Sequence, residues 1–142
     1  MTDRLFLDAN VLFSAAYRTD SGLSQLWTIP KITLLTSAYA VEEAMRNLED
    51  DDQRSRLRHL LSTVELVVSL SQESGMAKFA PTPQQADLPE KDRPILQVAI
   101  TGRASHLITG DFKHFGRFFG QTIAGLQIMP PAEYLKSNKR RR

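Results

Sequence analysis

A chain of 142 residues that is 42% hydrophobic suits one globular domain with its own core, since a domain of this size buries roughly 68% of the surface its unfolded chain exposes. The absence of cysteine excludes disulfides, thiolate metal sites and cysteine nucleophiles. No apolar run approaches the ~18 residues of a membrane span, and MTDRLFLDAN lacks a secretory pattern, so the cytoplasm is the expected location and no membrane partner is expected. The net charge of +2 is a weak sign of partners: five of the 18 basic residues fall in the last seven positions, leaving 13 against 16 acidic ones and a body of charge −3.

In chain order, Leu5–Leu7 makes a short apolar strand, and similar runs recur at ITLLT, ELVVSL, HLITG and LQIMP, giving about five strands. Segments with helical spacing lie between them: GLSQLWTI, SAYAVEEAMRNL with Ser37 as its N-cap, QRSRLRHLLSTV, a weaker QESGMAKFA, and DRPILQVAITGRA, closed by Gly102. PTPQQADLPEKD reads as a loop, as does Gly120–Gly125. Continuous apolar strands alternating with helices require a sheet covered on both faces. The expected fold is an α/β/α sandwich with a central, mostly parallel sheet, occupying residues 1–135, with 136–142 (KSNKRRR) a solvated basic tail.

In open α/β sheets ligands gather at the carboxyl ends of strands, where strand order reverses. Asp8 follows the first strand and Asp111 follows HLITG, each with polar neighbours, Asn10 and Thr109. Glu43 sits on the helix after ITLLT with Asn47 one turn on, and Asp92 opens DRPILQVAI. Each acid alone has an ordinary explanation as a turn former, an exposed helix face or an N-cap. Their order along the fold sets them apart, because helix starts and strand ends at one rim would bring all four together. Four adjacent carboxylates stay ionised together most simply around a divalent cation, and an all-oxygen set favours Mg²⁺ or Mn²⁺. His59, His106 and His114 have no zinc-site spacing. A cation so held suits phosphodiester hydrolysis.

At this point the whole chain resembles the PIN-domain nucleases: FLDANVL is similar to their first-strand motif, TSAYAVEEAMRNL to their first acidic helix, KDRPILQVAI to their third acid, and LITGDFKHFG to their last. The resemblance implies that Asp8, Glu43, Asp92 and Asp111 are catalytic and bind Mg²⁺ or Mn²⁺, supported by Asn10 and Thr109, and that the substrate is RNA. Many bacterial members are toxins of toxin–antitoxin pairs, so an antitoxin protein and a homodimer are expected partners. Glu43 is preferred to its neighbour Glu42, which points about 100° away on a helix, and Asp92 to Asp87 in the Pro-rich loop.

His114 is expected to pack or hydrogen-bond rather than act as a base, and His59 to lie at the surface. Phe112, Phe115, Phe118 and Phe119 could stack on bases, although packing is expected of most of them, and Trp27 and Tyr39 are expected to pack as apolar residues. Lys113, Arg93, Arg46 and the basic tail are candidates for phosphate contacts. Two other function classes stand beside the ribonuclease: a catalytically inactive PIN-like RNA-binding module, and a small-molecule phosphohydrolase, against which Asn10 replaces the expected second Asp of the haloacid-type motif. No G-x-S-x-G elbow, P-loop or dinucleotide fingerprint occurs.

Overall fold

A computed structural model describes residues 2–67 and 93–141. The chain runs β1 (Arg4–Leu7), α1 (Ala9–Tyr17), a 3-10 helix (Gly22–Thr28), β2 (Thr33–Ser37), α2 (Ala38–Asn47), α3 (Asp51–Leu61) and β3 (Glu65–Val67). It resumes with α4 (Arg93–Thr101), β4 (His106–Ile108), α5 (Phe112–Phe115) with a 3-10 turn, β5 (Thr122–Ile123), β6 (Leu126–Met129) and α6 (Pro131–Arg141). No helix among the described residues is long and apolar enough to cross a membrane.

The described strands form one sheet ordered β3-β2-β1-β4-β6-β5, parallel except for β5, which pairs antiparallel with β6. The unbroken apolar strands follow from burial on both faces. Leu5 and Leu7 of β1 join the core beneath α1, α2 and α3, whereas Phe6 between them joins the opposite core with α4, Phe115 and Ile128. Leu34 and Leu35 of β2 divide in the same way, as do Ile108 and Leu107 of β4. The sheet therefore separates two apolar layers and the α/β/α sandwich stands.

Four features differ from the sequence expectation or fall beyond what is described. NVLFSAAY, assigned to no element from the sequence, is helical: Ala9, Val11, Leu12, Ala15 and Ala16 are buried on one side, and the opposite face carries only Asn10 and Ser14 as polar residues beside Phe13 and Tyr17. A sixth strand, β5, arises inside the expected Gly120–Gly125 loop, where Ala124 and Gly125 take φ of 53° and 84°, the positive pair a tight hairpin needs. Residues 131–141 form one helix, so most of the expected solvated tail continues α6. QESGMAKFA, the Pro-rich loop with Asp87, and Asp92 lie outside the described residues.

The order of the strands sets the position of the site. From β1 the chain winds outward through β2 to β3, then returns so that β4 lies on the other side of β1. Strand order thus reverses between β1 and β4, whose carboxyl ends are Leu7 and Ile108, paired in register.

Candidate functional site

Asp8 leaves β1 at this reversal and caps α1. It is 4% exposed, and each carboxylate oxygen is engaged: Oδ1 accepts from the Ala9 N–H at 2.8 Å, and Oδ2 accepts from the Thr109 hydroxyl at 2.8 Å and from Asn10 Nδ2 at 3.2 Å. The backbone N–H of Asp8 donates to the Ile108 carbonyl at 3.1 Å, so the ladder between β1 and β4 extends to the site. Helix α1 follows immediately, and its N-terminal partial charge favours an anion at this position.

Thr109 and Asn10 join the two strand ends. Besides donating to Asp8, the Thr109 hydroxyl accepts from the Asp111 N–H at 3.1 Å and from Asn10 Nδ2 at 3.3 Å. The Asn10 side-chain carbonyl accepts from the Gly110 N–H at 2.7 Å. This approach is close: a Cβ on Gly110 would stand 3.3 Å from Asn10 Oδ1, so glycine allows Asn10 to reach the backbone there. Asp111 caps the short α5, accepting from the His114 N–H at 3.1 Å through Oδ1, and its Oδ2 lies 2.8 Å from His114 Nδ1.

Asp8, Asn10, Glu43, Asn47, Asp111 and His114 line one open cleft of about 490 Å³, together with Phe13, Tyr39 and Ile95. Ser37 ends β2 and caps α2 by accepting from the Ala40 N–H at 3.1 Å, which starts that helix at the rim. Tyr39, Glu43 and Asn47, at i, i+4 and i+8, then form a stripe facing the cleft. Glu42 instead lines a separate apolar groove with Val41, Met45, Leu61 and Leu66. The adjacent glutamates thus face different depressions, as their angular separation on a helix requires.

Burial is the largest influence on Asp8 and pushes its carboxyl above the usual range; the Thr109 and Ala9 hydrogen bonds oppose the shift, and the charges of Glu43 and Asp111 add to it. Asp111 goes the other way: burial alone would raise it, but the hydrogen bonds and charge of His114, with the Lys113 N–H, hold it below the ordinary value. Burial, with the charges of Glu43 and Asp111 from two other segments, thus disfavours ionisation of Asp8. A cation would relieve this.

Among the described residues, no three His, Asp or Glu side chains close around an ion directly. The donor chemistry nevertheless fits Mg²⁺ or Mn²⁺, which are held by one or two carboxylates and keep several waters. Among the described residues, no hydrogen bond or ion pair engages the Glu43 side chain, while Asp8 and Asp111 are pinned. The cleft thus offers two fixed carboxylates and one adjustable carboxylate that could hold such an ion.

Of the six residues expected at the site, Asp8, Asn10, Glu43 and Asp111 line the cleft, Thr109 is buried beneath it, and Asp92 lies outside the described residues. His114 hydrogen-bonds beside Phe115 as expected, and it also lines the cleft. His59 is exposed, Phe115 and Phe118 are buried, and Phe112 is 68% exposed. Trp27 packs against the core and donates from Nε1 to the Leu60 carbonyl at 2.9 Å. Tyr39 corrects its expectation: it is 46% exposed and lines the cleft, because the α2 stripe holding Glu43 passes through it. That spacing was visible in the sequence, whereas nothing there singled out Phe13.

The PIN domain family profile matches residues 4–113. Among solved structures, a toxin–antitoxin complex from Klebsiella pneumoniae contains a chain 25% identical to this one, with a TM-score of 0.61 over 89% of this chain and 97% of that one. A chain in the crystal structure of VapBC2 from Rickettsia felis, bound to a DNA fragment from its promoter, is 16% identical with a TM-score of 0.58, covering 89% of this chain and 98% of that one. No curated protein matches. The profile spans β1 to α5 and so takes in every described carboxylate of the cleft: the chain belongs to the PIN domain family.

Proposed function

We propose that this protein is a ribonuclease that hydrolyses RNA phosphodiester bonds with Mg²⁺ or Mn²⁺ held by Asp8, Glu43 and Asp111. The observation that carries this reading is the convergence of carboxylates from three separate segments on one cleft at the reversal of strand order. Asp92, immediately ahead of α4 in sequence, is the proposed fourth acid; Ile95 of α4 lines the same cleft.

The ion, when bound, supplies positive charge for the phosphoryl oxygens and acidifies a water. The chain's own residues do the positioning. Ala9, Asn10 and Thr109 fix both oxygens of Asp8, and His114 fixes Asp111, so little reorganisation is needed when substrate arrives. Glu43, unrestrained by any described hydrogen bond, adjusts to the ion and orients the attacking water. Water displaces the 3′ oxygen, and by family resemblance the products carry a 5′ phosphate and a 3′ hydroxyl.

The two solved toxin–antitoxin complexes of the same fold support an antitoxin protein as partner and the toxin of such a pair as the biological role. Homodimerisation and a cytoplasmic location belong to the same reading. The test is incubation of wild type and Asp8→Asn with end-labelled RNA and Mg²⁺ or Mn²⁺, then with chelator. Cleavage by wild type alone, abolished by chelator, is the expected result. Binding by both proteins without cleavage overturns catalysis in favour of an RNA-binding module, and hydrolysis of only small phosphate esters overturns the substrate class.

A further inference from the structure

We infer that Phe13, Tyr17 and Tyr39 form a stacking track for unpaired nucleobases beside the acidic cleft, and that these rings position an RNA strand there. This deepens the ribonuclease reading and rests on it.

Two tyrosines are among the most exposed large apolar side chains of the described residues, Tyr17 at 49% and Tyr39 at 46%. Exposed aromatic surface concentrated in one place marks an interaction site. Tyr39 lines the cleft, and Tyr17 adjoins it through Phe13. Phe13 lines it, and the ring of Tyr17 lies one turn further along α1, 5.3 Å from Phe13 between centroids and only 18° from parallel. Asn10, Phe13 and Tyr17 are spaced i, i+3 and i+7, so one face of α1 runs from the Asp8 network to the stacked pair. Tyr39, on α2 one turn before Glu43, lines the same cleft as Phe13, and α1 packs directly against α2.

Charge makes the case for bases rather than backbone. The cleft presents carboxylates to an approaching strand, and these repel phosphates whenever no cation is present. Affinity that persists under those conditions must come from groups indifferent to charge, and every base has a face that can stack on an aromatic ring. In a paired duplex those faces are already covered, so the track selects unpaired segments.

Fluorescence anisotropy of a labelled single-stranded RNA of mixed sequence tests this, with the same strand annealed to its complement as the second probe. The parent protein is Asp8→Asn without metal, which separates binding from cleavage. The single strand is expected to bind more tightly than the duplex. Adding Tyr39→Ala or Tyr17→Ala weakens single-strand binding by roughly 5- to 150-fold, the range of one lost stacking contact. Tyr39→Phe restores it, and Leu66→Ala, an exposed apolar residue of the other groove, leaves it unchanged. In wild type with metal, Tyr39→Ala raises KM more than it lowers kcat. Circular dichroism confirms that each variant is folded. Tyrosine variants that bind like their parent while wild type still cleaves RNA overturn the track alone; equal binding of duplex does the same. No RNA binding by any variant, with no cleavage by wild type, overturns the track and the ribonuclease reading together.

Discussion

Thr109 is a neutral residue on which both fixed carboxylates depend. Its hydroxyl donates to Asp8 and accepts from the Asp111 N–H and from Asn10, so Thr109→Val keeps the shape while leaving three polar groups short of a partner. Urea denaturation should show a loss of about 1–3 kcal/mol, the cost of buried groups left unsatisfied. RNA cleavage should fall ~10- to 100-fold, as for other residues that orient metal ligands, and Thr109→Ser, which retains the hydroxyl, should recover most of both. Asp8 and Asp111 have opposite consequences for stability against pH. Because the carboxyl of Asp8 is raised in the fold, the native state keeps a proton there that the unfolded chain has already lost. Its contribution therefore becomes less favourable as pH rises from the ordinary carboxylate value through the raised one, and the penalty is complete above it. Asp111 is lowered, so its contribution is present above the ordinary value and is lost as pH falls through the native one. On the proposed reading a cation competes with the extra proton on Asp8, so the rise in melting temperature on adding Mg²⁺ should grow with pH across the Asp8 window and be much reduced in Asp8→Asn; a pH-independent rise would contradict this assignment. Both acids were legible in the sequence because each interrupts or ends an apolar run. Tyr39 was not, because an aromatic ring within SAYAV resembles a core residue until the helix stripe through Glu43 is traced.

Helix boundaries were readable where a side chain marks them and obscure where burial is complete. Ser37 signalled the start of α2 and Gly102 the end of α4, and both act there. Helix α1 gave a weaker signal, since Phe13 and Tyr17 share its outer face with only two polar residues, Asn10 and Ser14, and its cap, Asp8, reads equally as a turn former. The hairpin of β5 and β6 was hidden for a different reason: two-residue strands carry almost no pattern, and Ala124 is an unusual residue for a positive φ. Helix α3 starts at Asp51, ahead of the apolar spacing, because Asp50 and Gln53 form a reciprocal capping box: Asp50 accepts from the Gln53 N–H at 2.8 Å, and the Gln53 side chain accepts from the Asp50 N–H at 3.3 Å. Asp50→Ala should lower stability in thermal melts by ~1 kcal/mol. Its cleavage rate at temperatures well below the melt should equal that of wild type, since α3 contributes no residue to the cleft.

For the whole molecule, fold class was the most legible level, because continuous apolar strands separated by helices allow few arrangements other than a covered parallel sheet. The strand order was not legible: nothing in the sequence sets β4 beside β1 rather than β3, and it is that placement which brings Asp8 and Asp111 together. The ends of the molecule are joined away from the cleft: Tyr134 of α6 donates to Asp3 Oδ2 at 2.7 Å, and Arg4 bonds both Glu65 and the Gly102 carbonyl, at 2.8 Å each. These contacts hold the sheet together independently of the acids, so neutralising an acid should empty the site without unfolding the protein. The most direct measurement is calorimetric titration of Mn²⁺ into wild type and four variants: Asp8→Asn, Glu43→Gln, Asp111→Asn and Glu42→Gln. Wild type and Glu42→Gln should bind alike, and the other three should each bind at least about tenfold more weakly, a difference of about 1.4 kcal/mol. Absence of Mn²⁺ binding by wild type, or identical binding by Glu43→Gln and Glu42→Gln, would contradict the account.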